Sequence, residues 1–86
     1  MKKFTVRFGE MSCIETVIAP NETEAEMQIE AFMHTNHIWG DIIATDFECK
    51  INDVKMETLY DRYKECAYAE TFIKYMERNG YNAETL

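Results

Sequence analysis

From Lys3 to Phe8 the chain alternates, with Phe4, Val6 and Phe8 on one face and Lys3, Thr5 and Arg7 on the other, which predicts a half-buried strand. Gly9-Glu10 supplies a tight turn. Met11 to Ala19 reads as a second strand, with Ile14, Thr16 and Ile18 on one face and Met11, Cys13 and Val17 on the other. Apolar residues on both faces predict packing on both sides of it. Pro20-Asn21 breaks the strand, and Asn21 followed by Glu24 has the spacing of a capping box. Ala25, Ile29, Phe32 and Met33 then form an apolar stripe with Met27 at its margin, predicting a helix from Glu22 to His34 or Thr35. Asn36 to Asp41 has no period and reads as a loop holding Trp39. Ile42 to Lys50 is a third strand, with Ile43, Phe47 and Cys49 expected inward and Asp46 and Glu48 outward.

The remainder is one helical pattern. Asn52 or Asp53 caps it, and Gly80 after Asn79 ends it. Leu59, Tyr63, Cys66, Ile73 and Met76 make one stripe, widened by Met56, Tyr60, Ala67 and Phe72, with Tyr68 and Tyr75 further round. Unbroken, such a helix is about 40 Å long at 1.5 Å per residue, wider than a three-stranded sheet. Either it kinks near Cys66 to Ala69, or part of it projects with Tyr68, Phe72, Tyr75 and Met76 needing cover. The expected fold is α+β, a small three-stranded antiparallel sheet with β-β-α-β-α topology and a long C-terminal helix. The first helix crosses one face, and the third strand returns beside the first in a right-handed crossover, giving the order 2-1-3. One domain spans 1–86: a ββαβ unit to residue 50, the helix over 51–80 and a tail from 81.

Charge adds a division between the two halves. The net charge is −7, and no lysine or arginine occurs between Phe8 and Cys49, a stretch holding Glu10, Glu15, Glu22, Glu24, Glu26, Glu30, Asp41, Asp46 and Glu48. Such a surface repels phosphate backbones and attracts basic protein surfaces, although net charge also serves solubility alone. No apolar run approaches the roughly 18 residues of a membrane span, and the alternation after Met1-Lys2-Lys3 is unlike a signal-peptide core, so a cytoplasmic location is expected. Cys13, Cys49 and Cys66 are odd in number and set among apolar neighbours, as reduced, inert core thiols would be.

The opening Met1-Lys2-Lys3-Phe4-Thr5-Val6, the strand end Val17-Ile18-Ala19, the acidic capped helix Asn21-Glu22-Thr23-Glu24-Ala25-Glu26 and the closing Ala44-Thr45-Asp46-Phe47 resemble the DpnD/PcfM-like family of short proteins from phages and conjugative or integrated elements. The resemblance runs to about Cys49 and implies a mobile-element origin, with the host cytoplasm as location, and a compact hairpin-helix-strand unit. It brings no catalytic signature. The segment from Asp53 to Asn79 departs from it.

Candidate chemistry is sparse. His34 and His37, three apart with Asp41 behind, are the one metal-ligand spacing, but the helix end falls between them. Asp46 and Glu48 share a strand face, yet no phosphate-binding loop accompanies them. No catalytic residue and no cofactor is expected, and the chain is not read as an enzyme. The expected function is that of a small acidic protein-binding or regulatory protein. Its electrostatic contact candidates are Glu22, Glu24, Glu26, Glu30, Asp46 and Glu48. Its aromatic and apolar candidates are Trp39 in the loop, as an anchor for a partner or for the loop itself, and Tyr60, Tyr68, Phe72, Tyr75 and Met76 on the C-terminal helix, through which the chain would self-associate. A protein partner with a basic surface is expected, and neither direct nucleic-acid binding nor a membrane. The alternatives are a nucleic-acid-mimicking inhibitor of a host nuclease or defence complex, of anti-CRISPR or anti-restriction type, and a small metal-dependent enzyme using His34, His37 and Asp41.

Overall fold

The computed structural model describes residues 1–66 and 70–81. Its elements are β1 (Lys2–Phe8), β2 (Cys13–Ala19), α1 (Glu22–Thr35), β3 (Ile42–Lys50), α2 (Val54–Glu65) and α3 (Phe72–Arg78). The class is α+β, and the strands form one antiparallel sheet in the order β2-β1-β3. The alternation of β1 puts Phe4, Val6 and Phe8 into a first core with Val17 and Ala19 of β2 and Ala25, Ile29 and Met33 of α1. Asn21 caps α1 as its spacing predicts, its side-chain oxygen accepting from the Glu24 N–H at 2.9 Å.

The C-terminal segment is not one long helix. It is two short ones, of 12 and 7 residues. Asp53 caps α2, accepting from the Met56 N–H at 3.2 Å, and Thr71 caps α3, accepting from the Lys74 N–H at 3.4 Å. The Tyr63 hydroxyl donates to the Glu70 carbonyl at 2.5 Å and Glu70 pairs with Arg78, so the end of α2 holds the chain as it re-enters helix. Gly80, at φ +82°, ends α3 with the Gly80 N–H on the Glu77 carbonyl and the Tyr81 N–H on the Met76 carbonyl, the paired bonds of a Schellman motif.

The break lets both helices use the same apolar stripe. Met56, Tyr60, Tyr63, Phe72, Tyr75 and Met76 form a second core with Ile18, which by strand alternation points to the side of the sheet opposite Val17 and Ala19. The end of β2 is therefore packed on both faces through Val17, Ile18 and Ala19, but its start is not: Ile14 is exposed, and Met11 lies in the turn before the strand and is exposed too. The cores are joined through Gln28 of α1, which is 1% exposed. Its amide nitrogen donates to the Ile18 carbonyl at 2.8 Å, and its amide oxygen accepts from the Phe72 N–H at 3.0 Å. One side chain thus ties the outer strand β2 to the start of α3. Among the described residues no helix is long and apolar enough to cross a membrane.

Candidate interaction surface

The third strand departs most from its sequence pattern. Against β1, Ala44 faces Arg7 but Ile42 faces Phe8, and Phe47 faces Phe4 but Cys49 faces Lys3. Ile43 and Glu48 are the extra residues, and each bulge reverses the alternation once. Ile42, Thr45 and Phe47 thus share the α1 side of the sheet, with Ala44, Asp46 and Cys49 on the other side. Ile42 takes the inward place expected of Ile43, which is 54% exposed. Phe47 does face the α1 side and meets Phe4 edge-on at 5.9 Å, but α1 leaves it 55% exposed. Cys49 is exposed, as is Cys66 at the end of α2, while Cys13 is half-buried. The expectation of three core thiols fails because it rested on unbroken strand and helix periods.

Carboxylates stand on both sides of this strand. The Thr45 hydroxyl donates to Glu26 of α1 at 2.8 Å, fixing Glu26 beside β3, and Glu30 lies one turn along the same flank. On the other side the Thr5 hydroxyl donates to Glu48 at 2.9 Å, and Asp46 stands opposite Thr5. Among the described residues Glu70–Arg78 is the one salt bridge, and Arg78 has its pKa raised by the hydrogen bond and charge of Glu70. Glu30 and Asp46 are thus exposed carboxylates without an ion-pair partner among the described residues.

At the start of β3, α1 ends in a second Schellman motif. The Ile38 N–H donates to the Met33 carbonyl at 2.9 Å and the His37 N–H to the His34 carbonyl at 3.4 Å, which places His37 in the left-handed region at φ +54°. Glycine is the usual residue there, so His37→Gly is expected to raise stability by about 0.5–1 kcal/mol. An upward shift of the urea midpoint with unchanged slope is the check. His34, His37, Met33, Ile38 and Trp39 line a shallow pocket of about 280 Å³. Trp39 is 76% exposed on its rim, and its carbonyl accepts from the Glu10 N–H at 2.9 Å, docking the loop on the β1–β2 turn. Asp41 contributes its carbonyl to the Gly9 N–H at 2.9 Å. Among the described residues no group of three or more His, Cys, Asp or Glu side chains is placed to hold a metal ion.

The candidate contact residues are therefore redistributed. Tyr60, Phe72, Tyr75 and Met76 are 3%, 0%, 7% and 0% exposed, so they are core and not a contact surface; the cover they required comes from the chain itself once the helix breaks. Tyr68 lies outside the described residues. Glu24 is turned to the interior side, accepting from the Tyr60 hydroxyl at 2.8 Å, and Glu22 is exposed at the start of α1. Glu26, Glu30, Asp46 and Glu48 are brought to β3, and Trp39 leads into it. Ile43 and Phe47, expected inward from the alternation, are both part of the surface: Ile43 because it sits in a bulge that carries no signal in the sequence, and Phe47 because α1 stops short of covering it although it faces the α1 side. Protein-family models, curated proteins and solved structures were compared with the chain, and none matches.

Proposed function

We propose that the chain is a small acidic protein-binding or regulatory protein whose contact surface is the β3 side of the sheet. The observation that carries this reading is the exposure of Trp39, Ile43 and Phe47 in and just before β3. Its other described aromatic residues are buried or half-buried. Single exposed apolar residues are ordinary, and Met11, Ile14, Met27 and Val54 are exposed elsewhere, but two in β3 and one in the loop that leads into it, two of the three aromatic, have the composition of a contact surface, where tryptophan and phenylalanine anchor partners. The flanking carboxylates favour a partner with basic groups, by charge attraction and faster encounter. A mobile-element origin would put that partner in a host cell.

The nucleic-acid-mimic alternative has less support, because it needs one continuous acidic face. Glu24 and Glu26 bond to Tyr60 and Thr45, while Asp46 and Glu48 lie on the opposite side of the sheet from Glu26. Affinity capture from the native host tests the main reading. The wild-type chain is expected to retain a specific protein that the folded variant Trp39→Ala/Phe47→Ala does not. Equal recovery by both would remove the β3 side as the contact surface.

A further inference from the structure

The two edges of the sheet are treated differently. At the β2 edge, Gln28 satisfies the Ile18 carbonyl and connects it to the start of α3, and α3 packs against that strand. At the other edge β3 pairs with β1 alone, so among the described residues no strand faces its outer side. An unpaired edge presents a row of free N–H and C=O groups, and sheet proteins usually cover or shorten it, charge it with lysine, or bulge it; the two bulges of β3 leave Ala44 to Phe47 regular between them. Here the open edge is nine residues long, about 30 Å of extended chain. It carries exposed apolar side chains at Ile43 and Phe47.

The geometry points to strand addition: β3 takes an extended, basic segment of a partner protein as a fourth strand. This rests on the binding reading above and names its mode and chemistry. The two bulges bracket a regular stretch, Ala44 to Phe47, which is where main-chain pairing would be continuous. Phe47 on one side of the edge and Ile43 at the bulge offer apolar contacts, and lateral side chains of an added strand alternate between such contacts and the flanks. Those flanks are acidic on both sides, with Glu26 and Glu30 along α1 and Asp46 and Glu48 across the sheet. Lysine or arginine in the added strand would meet a carboxylate whichever side it faced. The same charges argue against a second copy of this chain, since pairing β3 with itself would set these carboxylates against their own kind in a molecule of net charge −7.

The probe is a set of random decapeptides displayed on phage and selected on the full chain, followed by a synthetic copy of the best binder. Selected sequences are expected to alternate apolar residues with Lys or Arg. N-methylation of the synthetic peptide's amides should abolish binding at every second position and spare those between, because only alternate amides face β3. In hydrogen exchange, alternate amides between residues 44 and 47 should gain at least tenfold protection with the peptide bound. Asp46→Asn/Glu30→Gln should weaken binding about tenfold at low salt, with the difference shrinking as salt is added. Peptide that protects α1 or the β1–β2 turn while β3 is unchanged, or N-methylation without alternation, would overturn strand addition; loss of that same peptide's binding in Trp39→Ala/Phe47→Ala would leave the broader reading standing. Concentration-dependent dimerisation that protects β3 would replace the basic partner by a second copy. Protection of β3 in the free chain that disappears on deleting residues 82–86 would assign the edge to the chain's own tail, again against the proposal.

Discussion

Replacing Gln28 by leucine is expected to lower stability by about 3 kcal/mol, although the two side chains are similar in size. The volume is nearly kept, so little of the loss comes from a cavity. It comes from two buried main-chain groups left without partners, the Ile18 carbonyl and the Phe72 N–H, each worth about 1–3 kcal/mol when stranded away from water. For a chain of this length, with total stability of about 0.05–0.15 kcal/mol per residue, that is a large fraction. Urea unfolding followed by far-UV circular dichroism gives the measurement, and a loss below about 1 kcal/mol would mean that water reaches both groups in the variant. Gln28→Glu adds a pH-dependent form of the same test. Burial and the facing Ile18 carbonyl both disfavour a carboxylate there, so its folded pKa is raised above the unfolded value of about 4.3. The protonated acid donates to Ile18 and still accepts from Phe72. The variant should therefore be close to wild type below about pH 4 and lose stability as the pH rises through the folded pKa.

Gly40→Ala is expected to be comparably damaging, by about 3 kcal/mol. Gly40 sits at φ +114°, where a Cβ would lie 2.7 Å from the Glu10 nitrogen and 2.9 Å from the Gly9 carbonyl carbon. Both obstacles are main chain, so no side-chain rotation relieves the contact. The unusual φ alone costs a non-glycine residue about 1–3 kcal/mol, and forced overpacking adds about 1–3 kcal/mol more. What gives way is the docking of the Trp39 loop on the β1–β2 turn, with the Trp39 carbonyl leaving the Glu10 N–H. Faster hydrogen exchange at Gly9 and Glu10 would accompany the drop in urea midpoint. Because Trp39 leads into β3, the same change is expected to weaken partner binding in the capture experiment. A stable variant with unchanged exchange at Glu10 would show that the loop tolerates displacement.

Much of the fold is legible from residue order where its signals are local. The alternation of Phe4, Val6 and Phe8 sets the buried face of β1, Asn21 and Glu24 mark the start of α1, and Asn79-Gly80 marks the end of α3. Each depends on neighbours within a few residues, as strand alternation and helix capping do. The β3 surface is not legible in the same way. Its alternation reads Ile43, Phe47 and Cys49 as inward, but two bulges that no residue type announces expose Ile43 and turn Cys49 to the other side, while Phe47 keeps the α1 side and is exposed because α1 does not cover it. The aromatic stripe after Asp53 is read correctly as apolar, but stripe periodicity does not say whether its cover is a partner or the chain itself. Thr71 is the local clue that a new helix begins, and it is weak because no acidic residue follows at the third helical position.

The opposite fates of Phe72 and Phe47 separate what the two levels decide. Sequence by itself determined the class of fold, the strand order and the concentration of acid in residues 9–49, because hydrophobic period and charge are properties of the chain wherever it lies. Tertiary structure alone decided that Phe72 is interior and Phe47 is surface. Gln28 bonds at once to residues 10 positions before it and 44 after it, closing the β2 edge over Phe72, while nothing among the described residues closes the edge beyond Phe47. Exposure is set by which distant segment arrives, and that is a property of the packed molecule.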